Sequence, residues 1–189
     1  MGNLSDSIAQ LNMEPLRSIE KPDYQYNIHM IDPSRILFIH GSDSNSQTYK
    51  AKLLGGIFPG MVIPDFDGDL PERMKQLEAI LGAETGWTLI GSSLGGLMAA
   101  LFATQHPGQL RKLILLAPAL TLPGFTRTLP SQIPIPTIII QGTHDEFIPL
   151  EPTRRLAEKV FTNLTYIAVD DDHRLHKTAR EVDWKELLG

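Results

Sequence analysis

Ser93 stands in the run Gly91-Ser92-Ser93-Leu94-Gly95-Gly96. The apolar stretch Thr88-Leu89-Ile90 precedes it, and a small-residue helical pattern, Leu97-Met98-Ala99-Ala100-Leu101-Phe102-Ala103, follows. Strand, sharp turn and helix around G-x-S-x-G form a nucleophile elbow, which exposes a serine hydroxyl at the tip of a strand. Small residues two before and two after that serine let strand and helix cross without Cβ clashes. Ser93 has Gly91 and Gly95 there, whereas Ser92 would have the larger Ile90 and Leu94. A serine hydroxyl is a poor nucleophile at neutral pH and needs an adjacent base. Downstream lie Gly142-Thr143-His144-Asp145-Glu146-Phe147-Ile148-Pro149 and Asp170-Asp171-Asp172-His173. Imidazole titrates near neutrality, which suits His173 as the base. Asp145 would fix the imidazole tautomer and stabilise the imidazolium as it forms. An oxyanion needs two preorganised donors. The Leu94 N–H, at a helix N-terminus, supplies one, and the Ser42 N–H, after His40-Gly41, supplies the other.

Each assignment has a competitor. Asp145 also reads as a plain turn residue, with Glu146 beside it; the spacing to Pro149 favours Asp145. His176 rivals His173 and also reads as a solvated residue opening the last helix. His144 with Asp145 and His173 would make a metal set, but no helical histidine spacing supports one, so no metal is expected. Asp170 and Asp171 read as a solvated acidic turn, or as charges that would favour a protonated His173.

The elements that must position these residues follow from hydrophobic patterning. Continuous apolar runs mark strands buried on both faces. They are Ile36–Ile39, Met61–Ile63, Thr88–Ile90, Leu113–Leu116 and Thr137–Ile140, with a less pure run at Tyr166–Val169. Between them, helices fit at about Gln47–Ile57, Pro71–Leu81, Leu94–Gln105, Pro152–Phe161 and Thr178–Leu188. Alternating strand and helix predicts an α/β fold, a mostly parallel sheet of about six or seven strands with helices on both faces. Active residues in such sheets gather at the carboxyl ends of the strands, where every cluster named above falls. Residues 1–35 are irregular, broken by Pro15, Pro22 and Pro33, with Tyr24–Ile31 fitting an extra edge strand.

Bulk properties exclude several classes. The 189 residues suffice for one domain with a sizeable core, so residues 1–189 read as a single domain. Net charge is −5 without a basic tract, which argues against nucleic acid or an anionic membrane as partner. There is no cysteine, hence no disulfide and no cysteine nucleophile. The apolar runs are far too short for a membrane span. No basic n-region precedes an apolar h-region near the start, so a cytoplasmic protein is expected. Neither a dinucleotide glycine pattern nor a P-loop is present, and no cofactor is expected. Nothing in the sequence defines an oligomeric state.

Taken together, Phe38-Ile39-His40-Gly41, Ile90–Gly96, Gly142–Pro149 and Asp172-His173 resemble the α/β-hydrolase superfamily, particularly its small, capless serine esterases and thioesterases. The resemblance spans residues 36–173 and the order Ser93, Asp145, His173 is the family's nucleophile–acid–base order. His40 is a possible base and a candidate pocket residue, and the resemblance implies that it shapes the loop near the oxyanion site. The superfamily's usual first two strands are missing or reduced, so residues 1–35 inherit no role. Many members insert a lid between the strands ending at Leu116 and starting at Thr137; only about Ala117–Pro136 lies there, too little for a lid domain. Leu120, Leu122, Phe125 and Leu129 in that segment would either form a small apolar flap over Ser93 or cap the core. The expected activity is hydrolysis of a small-molecule carboxylic ester or thioester through an acyl-Ser93. A catalytically inert binding or regulatory protein on the same scaffold, and an amidase or peptidase using the same three residues, stay open beside it.

Overall fold

The computed structural model describes residues 31–123 and 132–189. Among them five strands make one parallel sheet in the order β1-β2-β3-β4-β5: Ile36–Ile39, Trp87–Ser92, Leu110–Leu116, Thr137–Gly142 and Leu164–Val169. Six α-helices lying wholly among the described residues surround it: α1 Tyr49–Ile57, α2 Leu70–Leu81, α3 Leu94–Gln105, α4 Leu150–Val160, α5 His176–Glu181 and α6 Trp184–Leu188.

The unbroken apolar runs are explained by which side each residue faces. Side chains alternate across a strand. Leu37, Ile39, Leu89, Leu113, Leu115 and Ile139 face one core, shared with Leu77 and Leu81 of α2, Leu97–Ala100 of α3, and Ala157 and Val160 of α4. Ile36, Phe38, Ile90, Ile114, Leu116 and Ile140 face the other, with Ala51 and Leu54 of α1, Ala179 of α5, and Trp184 and Leu188 of α6. Helix α3 is apolar nearly all round because it is buried nearly all round, Leu97–Ala100 being 0% exposed.

Two expectations are corrected. The sheet has five strands among the described residues, fewer than the six or seven expected, because Met61–Ile63 makes a single parallel bridge, Leu37 to Val62. Its two backbone bonds, Phe38 N–H to Val62 O at 2.9 Å and Val62 N–H to Ile36 O at 2.8 Å, are all the pairing possible. Pro64 cannot donate to a ladder, and Gly60, at φ +97°, turns the chain just before the run. The last helix is two helices, since Val182 is extended and the Asp183 carboxylate caps a new start by accepting from Lys185 and Glu186 N–H. The expected Tyr24–Ile31 strand lies outside the described residues apart from Ile31, which is in none of the five strands.

The bridge matters for the site. From β1 the chain crosses to Val62 on one flank of β1, then returns to β2 on the other. Strand order therefore reverses between β1 and β2, and such a switch point opens a crevice at the carboxyl ends of the strands.

At that point β2 enters α3 through Ser93, whose φ is +55° and ψ −115°. The crossing is so close that a Cβ on Gly91 would lie 2.7 Å from the Gly95 carbonyl carbon, and one on Gly95 would lie 2.6 Å from the Ile39 carbonyl carbon. By contrast a Cβ on Gly56, exposed in α1, would meet nothing within 4 Å. Gly95→Ala should therefore lower unfolding free energy by about 3 kcal/mol or more. Gly56→Ala, also helical, should raise it by about 0.5–1 kcal/mol through helix propensity. Urea unfolding of the two variants checks the pair; similar effects would contradict the close crossing.

Candidate active site

Ser93 is pinned through its backbone. Its N–H donates to Leu116 O of β3 at 2.9 Å, and its carbonyl accepts from Gly96, Leu97 and Ala119 N–H at 3.0, 3.2 and 3.1 Å. These bonds hold the left-handed conformation against its steric cost, about 1–3 kcal/mol for a non-glycine residue. The side chain is thereby aimed out of the sheet edge, at the turn into α3.

The loop after β4 carries Asp145. Its Oδ1 accepts from Phe147 N–H at 3.0 Å and Ile148 N–H at 2.8 Å, which closes the turn. Gln141, fully buried at the end of β4, donates to Ile148 O at 2.8 Å and receives the Tyr166 hydroxyl of β5. The loop after β5 is pressed against this one: a Cβ on Gly142 would lie 2.6 Å from Asp172 O, and His144 N–H donates to Asp171 O at 3.1 Å.

Within the loop after β5 the acidic run organises backbone. Asp172 Oδ1 accepts from Arg174 and Leu175 N–H, at 2.8 and 3.2 Å, and Asp171 Oδ2 accepts from Thr178 N–H and Oγ1–H, both at 2.8 Å. Asp170 stays exposed, paired with His144 at 3.0 Å and Lys177 at 3.5 Å. The hydrogen bond from His144, assisted by Lys177, holds its carboxyl below the usual range.

These loops bring three of the sequence-predicted residues into one chain of hydrogen bonds. His173 Nε2 lies 3.1 Å from Ser93 Oγ, and His173 Nδ1 lies 2.9 Å from both carboxylate oxygens of Asp145. The Asp145 side chain is 1% exposed and that of His173 15%. A buried carboxylate facing Nδ1 places the proton there and leaves Nε2 free to accept from Ser93. Glu146 is exposed, as is His176, whose ring meets that of Tyr49 at a tilt of 47°, 4.5 Å between centroids. His144 faces Asp170 instead of a metal set. Among the described residues no three His, Asp or Glu side chains are grouped as metal ligands.

A cleft of about 430 Å³ opens over Ser93, lined among others by Gly41, Ser42, Tyr49, Lys50, Phe147 and His173. Gly41 abuts Ser93: a Cβ there would lie 3.3 Å from Ser93 Cβ. Leu94 opens α3, so its N–H is among the first, unpaired amides of that helix. His40 does not line the cleft. It is 1% exposed, its Nε2 accepts from Phe66 N–H at 2.9 Å, and its Nδ1 therefore carries the proton it gives Gly41 O at 2.8 Å. Nor do Leu120 and Leu122 line it. Leu120 is a core residue at 0% exposure, drawn under by Ala119 N–H bonding Ser93 O, and Leu122 is 42% exposed. Phe125 and Leu129 lie outside the described residues.

Sequence reading missed Phe147 and Lys50. Phe147 stands edge-on to the His173 ring, 5.2 Å between centroids, and is 68% exposed. An apolar residue two positions after the acid, next to a core isoleucine, was its only signal. Lys50 Nζ donates to Arg174 O at 2.6 Å, tying α1 to the loop that carries His173. Burial pulls its ammonium down to about 8, against Asp172 and Asp171, which favour the charge.

The sequence profile of the alpha/beta hydrolase fold matches residues 40–134, and the chain belongs to that family. The fold supports a hydrolase. Among solved structures, one assigned to the hydrolases of the alpha/beta superfamily, from Xanthomonas campestris pv. campestris, is 27% identical with a TM-score of 0.66, over 81% of this chain and 95% of that one. Alpha/beta hydrolase domain-containing protein 10 from mouse is 24% identical, TM-score 0.62, over 81% and 85%. A monoacylglycerol lipase from Paleococcus ferrophilus is 18% identical, TM-score 0.61, over 81% and 93%. No curated protein sequence gives a match. No helix among the described residues is long and apolar enough to cross a membrane.

Lys50 gives a pH signature. A lysine whose folded pKa lies near 8, below its ordinary 10.5, binds fewer protons folded than unfolded between those values. Its presence costs stability at low pH, and the cost fades as pH rises through that window. The urea midpoint of Lys50→Met minus that of the wild type should therefore fall between about pH 7 and about pH 10. A difference that does not change with pH would place the ammonium in water.

Proposed function

We propose that this protein is a serine hydrolase that cleaves a small carboxylic ester or thioester through an acyl-Ser93 intermediate. The observation that carries the reading is the continuous Asp145–His173–Ser93 hydrogen-bond chain at the mouth of a cleft. His173 Nε2 takes the Ser93 proton as Oγ attacks the acyl carbon. Asp145 keeps Nδ1–H aligned and stabilises the imidazolium. The carbonyl oxygen becomes an oxyanion, met by the N–H groups of Leu94 and Ser42, with the α3 dipole adding to the first. Collapse of this intermediate expels the alcohol or thiol, which takes the proton from His173. Water then repeats the sequence on the acyl-Ser93 ester, releasing the acid and restoring the hydroxyl.

The cleft suits a short acyl group. Its apolar walls are Phe38, Tyr49 and Phe147, while Ser42, Ser44, Thr48 and Lys50 are polar. Each methylene buried against an apolar wall contributes about 0.8 kcal/mol, and the gain ends where the wall ends.

Ser93→Ala should lower kcat on p-nitrophenyl esters by about 10⁴-fold or more with the fold intact, and Asp145→Asn by about 10⁴-fold. Stoichiometric labelling by a fluorophosphonate, abolished in Ser93→Ala, should separate a turning-over site from an inert scaffold. Full esterase activity in Ser93→Ala would end the reading. Along a p-nitrophenyl ester series kcat/KM should peak at about C2 to C8; a C16 optimum would require a long acyl groove.

A further inference from the structure

Arg73 is a buried cation that the chemistry above leaves unused. It is 7% exposed, and its position on α2, four and eight residues before the buried Leu77 and Leu81, points it into the molecule. A guanidinium keeps its charge in proteins, and burying it is costly unless every donor is met. Among the described residues Arg73 makes no ion pair; it binds three backbone carbonyls instead. Nε donates to Gly68 O at 3.0 Å, one terminal nitrogen to Gly41 O at 3.3 Å and the other to Ser42 O at 3.4 Å. The capping box of α2 fixes the base of this side chain: Asp69 Oδ1 accepts from Glu72 N–H, and Glu72 Oε2 accepts from Asp69 N–H, both at 3.0 Å.

Two of those carbonyls belong to the loop beside Ser93. In a trans peptide the C=O and the following N–H point in opposite directions. No peptide here is cis. Gly41 O is held from one side by Arg73, by His40 Nδ1 at 2.8 Å and by Ser44 Oγ at 3.5 Å. The Ser42 N–H of that same peptide is thereby turned away from all three. A positive charge on the carbonyl side also polarises the peptide and strengthens its N–H as a donor.

We propose that Arg73 is a positioning residue that sets and polarises the Gly41–Ser42 peptide, so that the Ser42 N–H is presented to the oxyanion. The inference rests on the serine-hydrolase reading for its catalytic consequence, but not for the orientation of the peptide. A structural strut would affect stability alone, whereas a device aimed at the oxyanion acts on the transition state more than on bound substrate.

Arg73→Met and Arg73→Lys test it, with p-nitrophenyl acetate as substrate, an alkylboronic acid as oxyanion analogue, and amide NMR. In folded Arg73→Met, kcat should fall about 10- to 100-fold with KM within about twofold, since one oxyanion donor is worth about 10²–10³ in kcat and the peptide is loosened, not removed. Boronate affinity should fall by a similar factor. Arg73→Lys, which keeps the charge and one bond, should recover part of both. The Ser42 amide resonance should shift or broaden in Arg73→Met, with that of Leu94 unchanged. Wild-type kcat in both folded variants, a change confined to KM, an unaltered Ser42 amide, or failure of both variants to fold would each overturn the proposal. A wild-type protein inert to ester and fluorophosphonate would instead overturn the hydrolase reading, and the Ser42 amide would still decide the positioning role.

Discussion

The near-contact of three backbone segments at Ser93 constrains everything around it. Strand β2, helix α3 and the end of β1 meet where Gly91, Gly95 and the Ile39 carbonyl leave no room for a single extra carbon. Cores are close-packed and relax little, so this contact sets the distance between β1 and α3. It also imposes the positive φ of Ser93, because only a sharp turn reverses the chain in so short a space. The Gly41–Ser42 loop follows directly from β1 and inherits its position beside the serine from the same contact. Ser93 and the nearby amides are thus one rigid unit, built on buried strands.

The opposite wall of the cleft is made differently. His173 is held by a loop whose own carboxylates bind its amides, whose Arg174 carbonyl is tied to Lys50, and whose start is pressed on Gly142. Polar contacts dominate there, and apolar burial dominates at Ser93. Local stability follows the number of buried apolar contacts. The histidine wall is therefore the softer of the two, which suits the proton transfers proposed for His173.

Much of this was legible in the chain. Ser93 declared itself through glycines at the two offsets where a strand–helix crossing demands them. Asp145 and His173 were legible because each stands just past an apolar run that reads as a strand, a pure one at Thr137–Ile140 and a less pure, half-buried one at Tyr166–Val169. Alternation could not say that Met61–Ile63 stops after one bridge, since Pro64 acts on pairing and not on hydrophobicity. Leu120 and Leu122 stayed open between a flap and a core cap because apolar character alone does not tell the two apart; for Leu120 the Ala119–Ser93 backbone bond draws it into the core, and backbone bonds between loops leave no trace in sequence. Arg73 escaped notice for the opposite reason. It occupies a core-facing position of α2, and its partners are carbonyls, which every residue has.

Among the described residues the sheet is wholly parallel, so no two of its neighbouring strands can be closed by a tight hairpin. His173 lies 28 residues beyond Asp145 and 80 beyond Ser93, and among the described strands the one that delivers it pairs with β4 alone. Contacts so distant in sequence form late, after the entropy of closing long loops has been met. On the ribosome the serine and the aspartate emerge well before the histidine, and Ser93 has no imidazole beside it until β5 docks. On the chemistry proposed for Ser93 the hydroxyl is unactivated throughout that interval, so a chain still being made would carry a silent nucleophile past the other proteins of the cell.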